Sequence, residues 1–518
     1  MTLREIDFMK KLHALRAAGL VATAAIVVAG CGGDDDDITP PAATCATQVN
    51  DTEEKLLACV TLQGVQAHLT ELDKIAKANG GNRASGEPGF LASVEYAEKV
   101  FGAAGYTVSR KTFDFVAFTD LGGSALQQTA PAPAADLPHF VMSYSGSGDL
   151  PGTPVTVVAN RGCDAADFAG FTAGNVALIS RGDCTFAIKA TNAITAGATG
   201  VVIYNNTDGD LNGTLGPEFT ADVPVISVTQ ALGQQLAATA GLSLRLKAAT
   251  TRITKTTYNV IAESKGGDAD HVVMVGAHLD SVHEGPGIND NGTGSAAILE
   301  TATQLAKVTP KNKLRFALWG GEESGLLGST DYVASLTDAE LAKVSLYLNF
   351  DMIGSPNAGY FIYDGDDSDA AGEGPGPAGS DLIEKHFEAF YTARNKKFKG
   401  TDFDGRSDYG PFIENGIPAG GLFTGAEDLK TAEEVALWGG TADVAYDKCY
   451  HAACDDLTNL DTAALDLNSD AVAAATLHYA FNLDGIGPTL SRVQTNSVRA
   501  KAYTPPADMR PKHLPKLK

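Results

Sequence analysis

The chain has 518 residues, and 39 lysines and arginines against 63 aspartates and glutamates give a formal net charge of −24. This negative charge repels phosphate backbones and excludes nucleic acid as a main partner. A hydrophobic content of 44% with 20% charged residues is ordinary for folded protein, and the length predicts two or three domains.

The amino terminus has the layout of an export signal. Basic residues precede an apolar run that ends in Val28-Ala29-Gly30-Cys31, which predicts a signal peptide over residues 1–30. These four residues resemble a bacterial lipobox, so we expect Cys31 to carry lipid and to begin the mature chain; a plain secretory peptide or a signal anchor is the alternative. No second apolar run of about 18 residues follows. We therefore expect an exported protein, secreted or held at the cell envelope through the lipid anchor only.

The next segment, residues 31–58, is rich in aspartate, glycine and proline, which predicts a flexible tether. Of the seven cysteines in the chain, lipidation of Cys31 leaves six. In an oxidising compartment, neighbours in the sequence are expected to pair: Cys45 with Cys59, Cys163 with Cys184, and Cys449 with Cys454. Other connectivities are open in principle, and proximity selects these three.

Two different sequence patterns follow along the chain. Residues 60–105 show helical periodicity and residues 106–115 are strand-like. Proline and alanine then crowd residues 130–138, and residues 139–250 hold short β-type runs with one helix near residues 186–196. This change predicts an inserted β-rich module over residues 119–250.

After the insertion, apolar strands at residues 272–277, 314–319 and 345–350 alternate with helices. That alternation predicts an α/β domain with a mostly parallel sheet. The early helices and the later strands should form one domain, residues 59–118 with 251–486. Residues 487–518 are basic and predict a flexible tail.

Histidines and acids stand just after the apolar strands, where open α/β sheets place their ligands. The sequence has no serine-hydrolase elbow, phosphate-binding loop or H-E-x-x-H motif. Converging acids repel unless a cation joins them, and mixed imidazole and carboxylate suits zinc, cobalt or manganese. Two ions about 3.5 to 4 Å apart need two ligands each and a bridging carboxylate. Five positions supply that count: His278 with Asp280, Asp290, the pair Glu322 and Glu323, Asp351, and His451.

These residues stand in six ordered motifs: His278-Leu279-Asp280-Ser281-Val282, Gly285-Pro286-Gly287-Ile288-Asn289-Asp290-Asn291-Gly292, Trp319-Gly320-Gly321-Glu322-Glu323-Ser324-Gly325, Asn349-Phe350-Asp351-Met352-Ile353-Gly354-Ser355-Pro356, Gly405-Arg406-Ser407-Asp408 and Cys449-Tyr450-His451-Ala452-Ala453-Cys454-Asp455. In this order they resemble the co-catalytic zinc aminopeptidases of metallopeptidase family 28. The likeness covers residues 60–115 and 256–485. It implies a three-layer α/β/α domain with a mostly parallel mixed sheet and two zinc ions per chain.

Carried over residue by residue, the resemblance implies one zinc on His278 and Asp351, the other on Glu323 and His451, and a bridge at Asp290. It further implies roles for residues that do not bind metal: Asp280 orients His278, Glu322 is the general base, Tyr450 stabilises the oxyanion, Arg406 contacts substrate, and Met352, Gly405 and Phe423 line an apolar pocket.

A calcium site of this family is matched only in part. Asp466 and Asp470 match two of its ligands, but Cys59 replaces a third acid. The sequence therefore gives weak support to calcium.

The insertion resembles the protease-associated (PA) domain, through Gly162-Cys163, Asp167-Phe168, Arg181-Gly182-Asp183-Cys184 and the run up to Tyr204-Asn205. That domain carries no catalytic residue in its families. The resemblance therefore implies a lid or a substrate-contact surface, and a passive spacer is the alternative.

The function expected from these features is that of an exported, monomeric metalloaminopeptidase that removes apolar amino-terminal residues from peptides with a free amino terminus. Three alternatives stay open: a glutaminyl cyclase-like acyltransferase with one zinc, a carboxypeptidase of the same family, and an inactive receptor-like protein. The last usually loses ligands, whereas all five positions are filled here.

Overall fold

The computed structural model describes residues 42–486 except residues 371 and 373. The expected signal peptide, Cys31 and the basic tail 487–518 lie outside the described residues, as does the start of the tether. Within the described residues, no helix is both long and apolar enough to cross a bilayer.

The strands of the described residues form two eight-stranded sheets. In chain order they are β1 (Thr107–Asp120), β2 (Ala125–Ala130), β3 (Ala135–Asp136), β4 (Phe140–Val141), β5 (Gly148–Val157), β6 (Val176–Ser180), β7 (Gly200–Tyr204), β8 (Val225–Val228), β9 (Ser243–Ala248), β10 (Thr250–Glu263), β11 (Asp268–His278), β12 (Asn312–Trp319), β13 (Val344–Phe350), β14 (Phe361–Tyr363), β15 (Lys399–Thr401) and β16 (Ala419–Phe423).

The helices in the same part of the chain are α1 (Ala42–Cys45), α2 (Glu53–Leu57), α3 (Leu62–Ala78), α4 (Pro88–Ala103), α5 (Phe186–Thr195), α6 (Gln230–Ala238), α7 (Thr293–Leu305), α8 (Leu327–Ser335), α9 (Asp338–Leu341), α10 (Ser380–Ala393), α11 (Gly410–Glu414), α12 (Ala432–Trp438) and α13 (Thr462–Phe481). A 3₁₀ helix spans Ala165–Phe168, and a π-helical turn spans Ile288–Gly292.

The larger domain is built on the sheet β1-β10-β12-β11-β13-β16-β14-β15. Its centre, β12-β11-β13-β16, is parallel, and every residue of β13 is buried, as expected when helices cover both faces. Residues of α3, α4, α7, α10 and α13 pack in one core with the sheet. Residues of α8, α9 and α11 pack in a second core with it. The expected three-layer α/β/α domain with a mixed sheet is confirmed.

The second sheet has the order β3-β2-β9-β5-β6-β7-β8-β4, and β5 to β8 are parallel. The chain enters and leaves it through β1 and β10, which pair antiparallel from Thr107 with Glu263 to Asp120 with Thr250. This pairing explains why β1 runs past residue 115, where the sequence pattern ends the strand.

The described part of the expected tether is folded, which corrects the prediction of flexibility for residues 42–58. Leu56 of α2 is fully buried in the larger core, and Asn50 Nδ2 donates to the Gln304 carbonyl at 2.8 Å. A disulfide joins Cys45 to Cys59. Burial of an apolar side chain and a covalent link outweigh the polar composition of this segment.

All three expected disulfides are present: Cys45 with Cys59, Cys163 with Cys184, and Cys449 with Cys454. The third encloses a short loop that carries Tyr450 and His451. This loop lies at the edge of the larger sheet where the parallel strands end, since His451 contacts Glu323, which follows β12.

Candidate functional site

The carboxyl ends of the central parallel strands converge on one buried cluster. His278 is the last residue of β11, Asp351 directly follows β13, and Glu323 follows β12 by four residues. Asp290 lies in the π-helical turn before α7, and His451 lies in the disulfide loop. Neighbouring parallel strands end at the same edge, so residues far apart in the sequence meet here.

The five side chains form two half-sites that share one carboxylate. His278 Nε2 lies 3.2 Å from Asp290 Oδ1 and 3.3 Å from Asp351 Oδ1. On the other side, His451 Nε2 lies 3.0 Å from Asp290 Oδ2 and 2.9 Å from Glu323 Oε2. Each oxygen of Asp290 therefore faces a different histidine, the arrangement that a bridging carboxylate requires.

The donor set fits zinc. Glu323 Oε1 is buried without a hydrogen-bond donor, and three carboxylates lie together with two imidazole nitrogens, each of these side chains being at most 15% exposed. Buried acids packed this closely repel each other unless a cation is shared among them. Imidazole nitrogen with carboxylate oxygen and no thiolate is a zinc donor set.

The histidines of the centre hold protons strongly when no metal is present. Burial lowers the pKa of His278, but the charges of Asp351 and Glu322 outweigh it and raise that pKa well above its usual range. Burial also lowers the pKa of His451, but Glu323 and Asp290 outweigh it and raise that pKa well above its usual range. A divalent cation would replace these protons, because it is attracted by the same carboxylates.

Hydrogen-bond partners behind the candidate ligands fix the orientation of these side chains. His278 Nδ1 lies 3.1 Å from the Asp280 main-chain carbonyl and 3.7 Å from the Asp280 carboxylate. Asp280 thus meets His278 first through its main chain, while its Oδ1 accepts the Glu322 N–H at 3.3 Å. Ser407 Oγ donates to Asp351 Oδ2 at 2.6 Å, a contact that the sequence did not predict.

Glu322 lies beside the first half-site. One ligand atom each from His278, Glu322 and Asp351 fall within 4.8 Å of one another, and Glu322 lines the cavity above them. Burial raises the pKa of the Glu322 carboxyl well above its usual range, His278 opposes the rise, and Asp408 adds to it. A carboxyl group with a raised pKa can both accept and return a proton near neutral pH.

Tyr450 and Arg406 contact each other beside the second half-site. Arg406 Nη2 lies 3.4 Å from Tyr450 Oη and 3.0 Å from Glu427 Oε1. The Tyr450 ring stacks on His451, with ring centroids 3.8 Å apart. Tyr450 is therefore held between the His451 ring and the Arg406 guanidinium, and it lines the cavity.

A cavity of about 390 Å³ opens above the centre. Of the four expected substrate contacts, Arg406, Met352 and Phe423 line it, whereas Gly405 does not. The sequence did not predict the aromatic residues Phe361 and Tyr446, which also line it, or a set of further acids: Asp402, Asp404, Glu427, Asp428 and Glu434. The lining residues run from His278 to His451 in the sequence, so the wall belongs to the larger domain.

The positions expected for calcium show no such grouping. Within the described residues, clusters close enough to hold an ion comprise two at the centre and one of Asp364, Asp366 and Glu384. The cluster of Asp364, Asp366 and Glu384 already binds the backbone of its own loop, since Glu384 Oε2 accepts the Gly365 N–H at 2.9 Å. Burial and Asp466 raise the pKa of Asp470 to about 7, and Arg394 opposes the rise.

Comparisons with known proteins agree with this geometry. Residues 259–476 match Peptidase family M28, and residues 152–236 match the PA domain. The chain is 48% identical over 434 residues to an aminopeptidase of Pseudomonas aeruginosa PAO1, covering 81% of each chain. It is 43% identical over 438 residues to the probable lipoprotein aminopeptidase LpqL of Mycobacterium tuberculosis, covering 82% of this chain and 86% of that one.

Two solved structures are also similar. The aminopeptidase from Aneurinibacillus sp. strain AM-1 superposes with a TM-score of 0.68 at 29% identity, covering 82% of this chain and 96% of that one. The zinc aminopeptidase BSAP from Bacillus subtilis superposes with a TM-score of 0.55 at 25% identity, covering 79% and 94%.

Proposed function

The chain belongs to peptidase family M28 and is a zinc-dependent aminopeptidase, and we propose that it removes apolar amino-terminal residues at a centre of two zinc ions. The placement of Asp290 supports a second ion, because its two oxygens lie 3.2 Å from His278 Nε2 and 3.0 Å from His451 Nε2. A single-ion site would need one histidine and its neighbours, not two half-sites with a shared carboxylate.

In this proposal His278 and Asp351 hold one ion, Glu323 and His451 hold the other, and Asp290 bridges them. When bound, such a pair supplies Lewis acidity toward a carbonyl and lowers the pKa of water toward neutrality. The protein residues hold the geometry, since His278 and the bridging carboxylate are buried and the His451 side chain is only 15% exposed.

Glu322 moves the proton. Its carboxylate accepts a proton from the attacking water and returns it to the nitrogen of the leaving amine, which its raised pKa favours. The Tyr450 hydroxyl donates to the carbonyl oxygen as negative charge develops there. Arg406, which contacts Tyr450 Oη, keeps that hydroxyl at the cavity wall and contacts the substrate.

The lining of the cavity supports a peptide substrate with a free amino terminus and an apolar first side chain. Met352, Phe361, Phe423 and Tyr446 form its apolar wall, with the Phe361 ring 6.2 Å from that of Phe423 and 5.5 Å from that of Tyr446. Carboxylates line the same cavity and can pair with the ammonium of the substrate. An acylated amino terminus would lose that charge, so blocked peptides should be poor substrates.

Further proposals concern the rest of the chain. The peptidase domain comprises residues 59–118 and 251–486, the PA domain residues 119–250, and the protein acts as a monomer. Kinship with a relative named as a probable lipoprotein supports export and a lipid on Cys31, which mass spectrometry of the native amino terminus tests. Calcium at Asp466 and Asp470 stays a prediction with weak support.

The proposed activity is tested with a matched substrate panel. Leucine p-nitroanilide should be hydrolysed, and N-acetyl-leucine p-nitroanilide should not. Cyclisation of a glutaminyl peptide without hydrolysis would instead identify an acyltransferase, and cleavage of blocked peptides from the carboxyl end would identify a carboxypeptidase. Loss of activity with a chelator and recovery with zinc separates all of these from an inactive protein.

A further inference from the structure

The segment that leads into the bridging ligand, residues 286–290, is held by two buried charged side chains of opposite sign. Both lie outside the proposed ligand set, and both come from distant parts of the chain. One is Arg83, which precedes α4, and the other is Asp455, which directly follows the disulfide loop.

Arg83 binds the carbonyl groups of this segment. Its Nε donates to Pro286 O at 2.9 Å and its Nη2 donates to Gly287 O at 2.6 Å. Its Nη1 donates to the carbonyl of Leu279, the residue after His278. The guanidinium is fully buried, so these carbonyls replace water as its partners.

Asp455 binds the amide groups that follow. Its Oδ1 accepts the Asn289 N–H at 2.8 Å, and its Oδ2 accepts the Asp290 N–H at 3.0 Å. Its main-chain carbonyl accepts the Ile288 N–H at 3.0 Å. Five successive residues are therefore held in place: the Arg83 guanidinium binds two of their carbonyl groups, and Asp455 binds three of their amide groups.

We propose that Arg83 and Asp455 are positioning residues that set Asp290 so that one of its oxygens faces each half-site. Arg83 also holds the residue after His278, and Asp455 lies four residues after His451. The pair thus connects the bridging carboxylate to a ligand of each ion and sets the spacing between the two half-sites before any metal binds. A planar guanidinium with a fixed fork of donors suits this role, whereas a lysine ammonium has no such geometry.

This inference rests on the proposed two-zinc centre and is tested with Arg83→Lys and Asp455→Asn. The first keeps the charge but loses the fork, and the second turns one acceptor into a donor that faces a backbone N–H. Arg315→Lys is the matched control: Arg315, on β12, pairs with Glu263 at 2.5 Å and with the Tyr332 hydroxyl, outside the centre. Changes to groups that orient ligands typically cost about 10- to 100-fold in metal affinity.

The readout is metal binding, measured by competition with a chromophoric chelator and by the electron spin resonance spectrum of the cobalt-substituted protein. We expect both centre variants to bind the second ion about 10- to 100-fold more weakly and to show altered coupling between the two cobalt ions. Arg315→Lys should match the parent in both. Two variants are used because a substitution at a buried charge can prevent folding, and thermal unfolding of the metal-free proteins identifies such a failure.

Parent-like affinity and cobalt coupling in either folded variant would overturn the positioning role. If the parent itself binds one ion per chain, the proposed two-zinc centre fails, whatever the variants bind, and the positioning role falls with it. If the parent binds two ions and the variants bind them equally well, the two-zinc centre stands and the positioning role alone is wrong.

Discussion

Glu322 and Glu323 are adjacent in the sequence, yet the structure places them in different surroundings. Glu323 Oε2 lies 2.9 Å from His451 Nε2, the partner ligand of the second half-site. Glu322 instead lies close to His278 and Asp351, with a cavity above it. Substitution of each by glutamine keeps the shape of the side chain, removes its charge and turns one acceptor oxygen into an NH2 donor.

We expect Glu322→Gln to keep both metals and to lose turnover. A general base contributes about 10²- to 10⁴-fold in rate, which corresponds to about 3 to 5 kcal/mol of barrier. kcat should therefore fall by that factor with little change in KM. Glu323→Gln removes one of two unshared ligands of the second half-site, so the zinc content after dialysis should fall toward one per chain.

Neither substitution should destabilise the metal-free protein. Burial raises the pKa of Glu322 well above its usual range and that of Glu323 to about 7. A carboxyl whose folded pKa lies above its unfolded pKa costs stability once the pH exceeds the unfolded value, so a neutral amide at either position removes that cost. Thermal unfolding of chelator-treated protein at pH 8 should thus give midpoints at or above that of the parent.

The assay combines metal analysis of the dialysed variants with hydrolysis of leucine p-nitroanilide. If Glu322→Gln lost metal and Glu323→Gln kept it, the two roles would be reversed. Full activity of Glu322→Gln would refute the proton-transfer mechanism.

The disulfide loop, a buried acid and the cavity each give a further prediction. Replacing Cys449 and Cys454 by serine should lower stability by about 2 kcal/mol in denaturant unfolding, from the closure entropy of so short a loop, and should weaken zinc binding, whereas the same change at Cys163 and Cys184 should leave zinc affinity unchanged. Burial raises the pKa of Glu434, but hydrogen bonds from Thr431 and Lys399 outweigh this effect and lower that pKa from 4.5 to about 2. The ionised carboxylate therefore stabilises the fold by about 3 kcal/mol above pH 4.5, and this stabilisation is lost as the pH falls toward 2. The difference in unfolding midpoint between Glu434→Gln and the parent should accordingly vanish near pH 2. Because the cavity carries several acids, glutamyl p-nitroanilide should be hydrolysed about tenfold or more slowly than its glutaminyl isostere, and equal rates would contradict this charge argument.

The meeting of the proposed ligands at one place was predictable because parallel strands impose it. Once His278, Asp351 and Glu323 are placed after three apolar strands, their meeting at one sheet edge follows from the α/β pattern. The disulfide loop brings His451 to the same edge, and proximity in the sequence was enough to pair its cysteines.

The groups that hold these ligands could not be predicted in the same way. Arg83 contacts carbonyls 203 and 204 residues away, and Asp455 accepts N–H groups 166 and 165 residues away. No local period or spacing marks such contacts. Asp280 shows a related limit, since its nearest contact with His278 runs through the main chain, which the side-chain type does not reveal.

Folding of residues 42–58 shows how tertiary packing overrides composition. Aspartates and prolines near the start of the expected tether, residues 31–58, indicate flexibility. One buried apolar residue, Leu56, together with the Cys45–Cys59 bond fixes the end of this segment against the core. The aromatic wall of the cavity was missed for a similar reason, because Phe361 and Tyr446 come from separate elements and meet only in the folded chain.

The two-zinc centre and its activity are tested most directly together, by titrating the metal-free protein with zinc while following hydrolysis of leucine p-nitroanilide. Activity should rise to a plateau at two equivalents of zinc per chain, because both half-sites must be filled around Asp290. A plateau at one equivalent, or no hydrolysis at any zinc concentration, would contradict the proposed centre.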